Sequence, residues 1–196
     1  MMDELDPLSD ICTEKRGVNL ETLKQVILLA IEIAREGREG RKIGTLFVIS
    51  DSENTLQRSK AMILDPVWYH PDSQKHISDP NLRETVKELA QLDGAFIVSD
   101  DGILLSACRY INASSEGIHL PLGLGSRHMA AASISKQTKA VSVVVSESAI
   151  VRVFDDGKMI SEIIPELWLL RRYSLHLSTP YSTRSTEDIT IVTKDD

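Results

Sequence analysis

Cysteine, positive charge and long apolar runs are what this chain has little of. Its 196 residues include two cysteines, Cys12 and Cys108. They lie too far apart for the close ligand spacing of a structural zinc site and are too few for a disulfide framework. Both read as reduced thiols of a cytoplasmic protein. Lys and Arg total 22 against 29 Asp and Glu, a formal net charge of −7. That balance speaks against non-specific attraction to nucleic acid or to an anionic membrane, so any phosphate binding has to come from a local site. No apolar run reaches the ~20 residues of a membrane span. The opening residues, MMDELDPLSD, have neither the basic start nor the apolar stretch of a secretory signal. What is present is an ordinary globular composition, 42% apolar, in a chain long enough for one domain with a sizeable core.

Residues 1–18 are polar and unpatterned and read as a flexible N-terminal arm before a domain spanning 19–196. Asn19 suits an N-cap, and Leu20, Leu23, Val26, Ile27, Ala30, Ile31 and Ala34 recur at helical spacing until Gly37. Gly37 to Lys42 form a basic link, open to two readings: a nucleotide contact or a solvated helix exit. Ile43 to Ser50 has the short, apolar, β-branched character of a buried strand. Residues 51–78 read as irregular, with a short strand near Ala61 to Leu64. His70 and His76 lie there without a third ligand at regular spacing, a weak case for metal. Asp79-Pro80 starts a helix that runs to Leu92. Ala95 to Ser99 and Ile103 to Ala107 form a hairpin turned by Asp100-Asp101-Gly102. After a loop over 111–122, Arg127 to Gln137 reads as a helix and Ala140 to Val145 as a central strand covered on both faces. A second hairpin, Ala149 to Phe154 and Lys158 to Ile163, uses the same Asp-Asp-Gly turn. Pro165 to Tyr173 suits a short helix and Ile189 to Thr193 an edge strand. The expected fold is α/β, a single domain with a mixed central sheet flanked by helices.

Three places in this pattern can carry chemistry. Gly123 and Gly125 precede a helix whose first amides and dipole favour an anion. There Ser126 adds a hydroxyl, Arg127 a fork that matches phosphate oxygens, and His128 a further donor. The same residues also suit a plain capped helix with Ser126 as its cap and Arg127 in solvent. Asp93 stands where a helix hands over to a buried strand, followed by Gly94 and Ala95; it can bind a divalent metal or accept a hydroxyl proton, or simply be a turn aspartate. Ser146 and Glu147 follow the central strand, where open α/β sheets bind ligands, and are equally readable as a polar turn.

The order of four segments adds to this. REGREGRKIGTLFVI, DPNLRETVKELAQLDGAFIVSDDG, GLGSRHMAAASISKQTKAVSVVVSES and VRVFDDGK follow one another. This stretch, about 20–163, resembles the diadenylate cyclase family, whose hallmarks are a DGA triplet and a G-T/S-R-H-R box. It leaves 164–196 as a C-terminal extension. The resemblance implies condensation of two ATP into cyclic di-AMP with release of two pyrophosphates, a divalent metal (Mn or Mg), and ATP sites that face each other across a homodimer. It implies catalytic roles for Asp93, Arg127 and His128, and ATP contacts from Gly94, Ala95, Ile111, Gly125, Ser126 and Ser146, with Ile111 reading adenine through its backbone. Asp93 and Glu147 become the metal ligands. It further implies a soluble, stand-alone form of archaeal type, with no membrane or nucleic-acid partner. Two features depart from the pattern. Ser126 replaces the usual threonine, and Met129 stands where the box ends in a second arginine, a charge for which Lys136 and Lys139 are the nearest substitutes. That loss leaves an alternative: a catalytically weak ATP or cyclic di-AMP binding protein of the same fold.

Overall fold

The computed structural model describes residues 8–62, 64–165, 181–185 and 190–194. The first long helix, α1 (Leu20–Glu36), begins where Asn19 accepts hydrogen bonds from the Glu21 and Thr22 amides at 3.0 and 3.1 Å. Its apolar stripe, including Leu23, Val26, Ile27, Ala30 and Ile31, is buried. It ends at Gly37, whose amide reaches the Ile33 carbonyl. A second capped helix, α3 (Pro80–Leu89), starts with Asp79 accepting from Asn81 and Leu82 and with proline in the first turn, as its sequence predicts.

Between them lie β1 (Thr45–Ile49), a short helix α2 (Ser52–Gln57) and β2 (Ser59–Ala61). The sequence predicts an irregular 51–60 and a strand slightly later, near Ala61 to Leu64. Only Thr55 of α2 is buried, so that helix carries no apolar period from which to read it. The loop after β2 is held to the sheet by Asp65, which accepts from the Ser106 hydroxyl and from the Ala107 amide at 3.1 Å. His76 lies 2.6 Å from the Ser78 hydroxyl, and among the described residues no three His, Cys, Asp or Glu side chains gather to hold a metal.

The remaining elements are β3 (Ala95–Val98), β4 (Leu104–Ile111), α4 (Ser126–Gln137), β5 (Val141–Val145), β6 (Val151–Asp155) and β7 (Lys158–Ile163). Seven strands form one mixed sheet in the order β2-β4-β3-β1-β5-β6-β7. Only β1 and β3 run parallel; the other neighbours are antiparallel. Both expected hairpins are present. In the second, Asp155 pairs with Lys158, and Asp156 and Gly157 turn with φ of 48° and 74°, the left-handed pair that a two-residue turn needs.

The pleat sorts the core into two layers. Phe47 and Ile49 of β1 join Phe96, Val143 and the α1 and α3 side chains on one face. Leu46 and Val48 join Ala95, Val144, Phe154 and the α4 alanines on the other. Phe47 and Phe96, paired across β1 and β3, stack at 5.0 Å; burying each ring contributes about 2–3 kcal/mol. The small side chains of Ala131 and Ala132 are fully buried, which lets α4 lie close to the sheet.

Part of the segment read as a flexible arm packs on this frame. Leu8 and Val18 are buried, Ile11 and Cys12 lie against the first core layer, and Arg16 pairs with Asp155 at 2.9 Å. Leu8, Ile11 and Cys12 are too few to register as a helical repeat, yet they cover one patch. The helix expected over 165–173 lies outside the described residues but for Pro165. The expected edge strand exists as β9 (Thr190–Lys194), but its partner is β8 (Tyr181–Ser185) in a separate two-stranded sheet.

Two side chains of the basic link after α1 are engaged locally. Arg38 pairs with Glu36, Glu84 and Glu88, and Lys42 reaches the Ala34 carbonyl. Lys87 on α3 contacts Glu32, Glu36 and Glu84 at 3.0, 3.2 and 2.8 Å. Burial pushes its ammonium down, but the hydrogen bonds to Glu84, Glu32 and Glu36 outweigh that and hold it above its ordinary value. These pairs tie α3 to α1 and fix the helix that leads into Asp93. No described helix is long and apolar enough to cross a membrane.

Candidate functional site at the start of α4

The Asp-Gly-Ala triplet is shaped by an irregularity in the neighbouring strand. Pairing between β3 and β4 shifts between Ala95↔Arg109 and Ile97↔Ser106, and Cys108, in that interval, has φ 53°. The bulge pushes the β4 backbone toward Gly94. A Cβ on Gly94 would lie 2.5 Å from the Cys108 carbonyl carbon and 2.7 Å from the Arg109 nitrogen, and its φ is 108°. Only glycine fits both constraints. Asp93 is thereby held two residues before the start of β3, with its side chain in solvent. Ala95 is buried under the α4 layer. The register carries Ile111, at the end of β4, to this same end of the sheet.

On the adjacent strands the same end carries Gly44, before β1, and Ser146-Glu147, after β5. The expectation that Glu147 lies beyond a carboxyl end holds for β5 alone. Because β5 runs against β1 and β3, the site combines the carboxyl end of one strand with the amino ends of two others. That antiparallel join brings Asp93 and Glu147 together across 54 residues of sequence.

Arg127, on the first turn of α4, links them. Its Nη2 donates to Asp93 Oδ1 at 3.3 Å and its Nη1 to Glu147 Oε1 at 3.1 Å. The two carboxylate side chains are 81% and 72% exposed and that of Arg127 is 35%, so the charges are paired but open to a ligand. The guanidinium lies against Gly44, where a Cβ would meet Nη1 at 2.8 Å and Glu147 Cγ at 3.2 Å. Gly44 was read only as part of a strand. A glycine beside a strand permits such a close approach, but nothing local names the group that approaches.

Beside this ion pair is a cleft of about 330 Å³, lined by Gly125, Ser126, Arg127, Ser146, Glu147 and Arg152 among others. Asp93 is outside the lining and is tied to it by Arg127. Gly125, not Ser126, is the cap residue of α4, and no side chain caps the helix; the reading of Ser126 as an N-cap does not hold. The Ser146 hydroxyl sits 2.7 Å from that of Ser148 and accepts from the Ile150 amide at 3.3 Å, which shapes the turn that carries Glu147.

His128 is buried, yet it also lines this cleft. It is 7% exposed, its ring meets Phe154 edge-on, and its Nε2 lies 3.1 Å from Arg152 Nη1. Since arginine can only donate, Nε2 is the acceptor and the ring proton sits on Nδ1, which has no partner among the described residues. Burial, then the Arg152 and Arg127 charges, push this imidazole below its ordinary value despite Glu162. It is neutral at physiological pH. Arg152, which the sequence reading passed over within VRVFDDGK, is 8% exposed and donates through Nε to Glu162 at 2.6 Å. Met129 packs on the apolar layer beneath α4. Lys136 reaches the Gly117 carbonyl at 2.7 Å, and the Lys139 amide bonds Asp51; both lie toward the far end of α4, so neither replaces a charge at position 129.

Residues 32–159 match the family described as DisA bacterial checkpoint controller nucleotide-binding, the DAC family. The chain belongs to this family. The matched DAC region contains Gly44, Asp93, Arg127, Glu147 and Arg152. A protein of Methanocaldococcus jannaschii named diadenylate cyclase is 49% identical over 150 residues, covering 76% of this chain and 47% of that protein. A diadenylate cyclase of Haloferax volcanii is 40% identical over 149 residues, covering 74% and 54%. The chain thus spans about half the length of these curated relatives. Among solved structures, one described as a hypothetical membrane spanning protein from Bacillus cereus has a TM-score of 0.53 and 19% identity, covering 71% of this chain and 62% of that one; it shares the fold.

For this DAC domain, Gly44→Ala tests the cradle under Arg127. The added methyl meets the ends of two flexible side chains rather than backbone, so stability should change by less than about 1 kcal/mol. The Arg127–Glu147 pair has to shift, and affinity of the cleft for pyrophosphate, a plain anionic probe, should fall up to about tenfold. Calorimetric titration with pyrophosphate, alongside a melting curve, checks both. An unchanged affinity would mean that Arg127 does not need this seat.

Proposed function

We propose that the chain is a diadenylate cyclase, joining two ATP into cyclic di-AMP and releasing two pyrophosphates. One observation carries this reading: a single guanidinium at an uncapped helix start is held between Asp93 of the Asp-Gly-Ala triplet and Glu147. The family match and the two relatives named diadenylate cyclase support it.

The residues divide the work as follows. The α4 amino end, with Ser126 and Arg127, binds the phosphates through donors already aligned. Gly94, Ala95 and Ile111 line the nucleoside side, the last through its backbone. The 3′-oxygen of one ATP bonds to the α-phosphorus of the other, and the bond from that phosphorus to the bridging oxygen breaks. The 3′-proton passes to Asp93, and pyrophosphate leaves. Positioning and charge neutralisation supply the acceleration, without a covalent enzyme intermediate.

The donors present fit a hard divalent cation. Asp93 and Glu147 offer only oxygen, both reach one guanidinium, and no third protein ligand accompanies them among the described residues. Mg²⁺ and Mn²⁺ are held by just such pairs, with phosphate and water oxygens completing the shell. When bound, the cation neutralises phosphate charge.

The chain carries one triplet and one Ser-Arg-His box. Each of the two linkages needs a hydroxyl of one nucleotide opposite the α-phosphate of the other. One site cannot present both, so two chains have to face each other about a two-fold axis. ATP as substrate also sets the reaction in the cytoplasm.

Incubation with ATP and Mn²⁺, followed by product chromatography across a protein dilution series, tests the reading. One cyclic di-AMP for every two pyrophosphates is expected, with a rate per chain that rises with concentration until the dimer saturates. ATP bound without product would turn the reading to a nucleotide-binding protein of the same fold. A rate per chain that stays flat at concentrations where sedimentation finds only monomer would remove the two-chain mechanism.

A further inference from the structure

The cleft beside α4 holds a second guanidinium that the SRH box does not supply. Arg152 comes from β6, not from the helix that carries Arg127, and lines the same space as Gly125, Ser126 and Ser146. A cation only 8% exposed is costly to bury unless it is paired and aimed. Arg152 is both. Its Nε donates to Glu162 Oε1 at 2.6 Å, and its Nη1 to His128 Nε2 at 3.1 Å. Those two bonds use two of its five donor hydrogens. Glu162 itself is the more open partner, its side chain 44% exposed. His128 cannot share the positive charge, since it accepts from Arg152 while neutral. The guanidinium therefore keeps donors for the cleft and has its plane fixed from two sides.

We propose that Arg152 is a second polyphosphate-binding arginine of this site, taking the place in charge, though not in sequence, of the arginine that Met129 replaces. This rests on the reading of the cleft as an ATP site. Met129 points into the apolar layer below α4, so the helix delivers one guanidinium to the phosphates and β6 delivers the other. His128 and Glu162 are positioning residues. Both orient Arg152, Glu162 from β7 and His128 from within the cleft lining. The ligand class is a nucleoside triphosphate, and the part held by Arg152 is its phosphate chain rather than its base.

Calorimetric titrations of the full chain with ATP and with adenosine, both with Mg²⁺, separate binding to phosphate from support of the fold. Arg152→Gln should weaken ATP about tenfold or more and leave adenosine within about twofold. Arg152→Lys should recover part of the loss, because a point charge returns without the fork. Glu162→Gln is the discriminating variant. It keeps an amide oxygen to accept from Arg152 Nε, so the guanidinium stays oriented, but removes a carboxylate that offsets its charge, so ATP should bind at least as tightly as in the wild type. If Arg152 only braces β6 against β7, Glu162→Gln should weaken ATP as Arg152→Gln does, and adenosine should follow; that result overturns the proposal. Unaltered ATP affinity in Arg152→Gln overturns it as well, while leaving the ATP site intact. A wild-type chain that binds neither ligand overturns both. Should Arg152→Gln fail to fold, weaker ATP binding in Glu162→Gln is still decisive against the proposal.

Discussion

Asp93→Asn should lower the rate of cyclic di-AMP formation by about a hundredfold or more, the usual weight of a positioned general base, while ATP affinity stays within a few fold. The substitution keeps the shape of the side chain and removes its charge. It does not disturb the fold, because the side chain is 81% exposed and its place is set by Gly94 against the β4 bulge rather than by its own contacts. Stability should stay within about 0.5 kcal/mol of wild type. In the proposed mechanism Asp93 takes the 3′-proton and contributes one of two carboxylates to the cation. Both roles need the negative charge and both act mainly in the transition state, so the loss should fall on turnover rather than on binding. Mixing this variant with wild-type chains should depress activity further than dilution does, since a mixed pair has one competent half. Initial rates by product chromatography, with ATP affinity measured separately, give the two numbers. Turnover close to wild type would take Asp93 out of the chemistry.

The sheet was legible where side chains repeat with a period and where turns carry their own chemistry. The α1 stripe, the Asp79-Pro80 start and both Asp-Asp-Gly turns state their structure locally, and each stands where it was expected. What the sequence did not disclose is what depends on distance along the chain. No local pattern marks Gly44 as the seat for Arg127, because the contact joins residues more than eighty positions apart. No pattern marks Arg152 as a cleft residue either; on a strand that alternates Val-Arg-Val-Phe it reads as a solvent-facing charge. Burial against His128 and Glu162 comes from the packing of α4 on β6 and from the β7 register. His128 was read as a donor to phosphate because it follows Arg127. One step along a helix is a turn of about 100°, and that step takes it from the more open position of Arg127 to a buried one beside Arg152, still in the cleft lining. The helix α2 was missed for the opposite reason, an exposed turn and a half with a single buried side chain.

Arg127→Ala should weaken ATP binding by about a hundredfold and adenosine binding by no more than about threefold. Arg127 offers the phosphates a charge-assisted fork, and hydrogen bonds to charged groups contribute about 1.5–3 kcal/mol. Its loss has a second consequence, which follows from the pairs it makes here. With Arg127 gone, Asp93 and Glu147 remain at the cleft without the cation that both contact at 3.3 and 3.1 Å. Two uncompensated carboxylates then face an incoming polyphosphate, and like charges at such distances add repulsion on the order of 1 kcal/mol even when well solvated. The two effects act in the same direction on ATP and neither acts on adenosine. The repulsive part also has its own signature. It should shrink as ionic strength rises, because exposed charges are screened within about 10 Å at 0.1 M salt, and as Mg²⁺ or Mn²⁺ rises, because the vacated carboxylates can hold the cation. The ATP deficit of Arg127→Ala should therefore narrow with added divalent cation without closing. Glu147→Gln in the same background should recover part of the affinity at low salt. Equal losses for ATP and adenosine would instead assign Arg127 to the fold, as a strut between α4 and the ends of β3 and β5, and the phosphate-binding role would go with it.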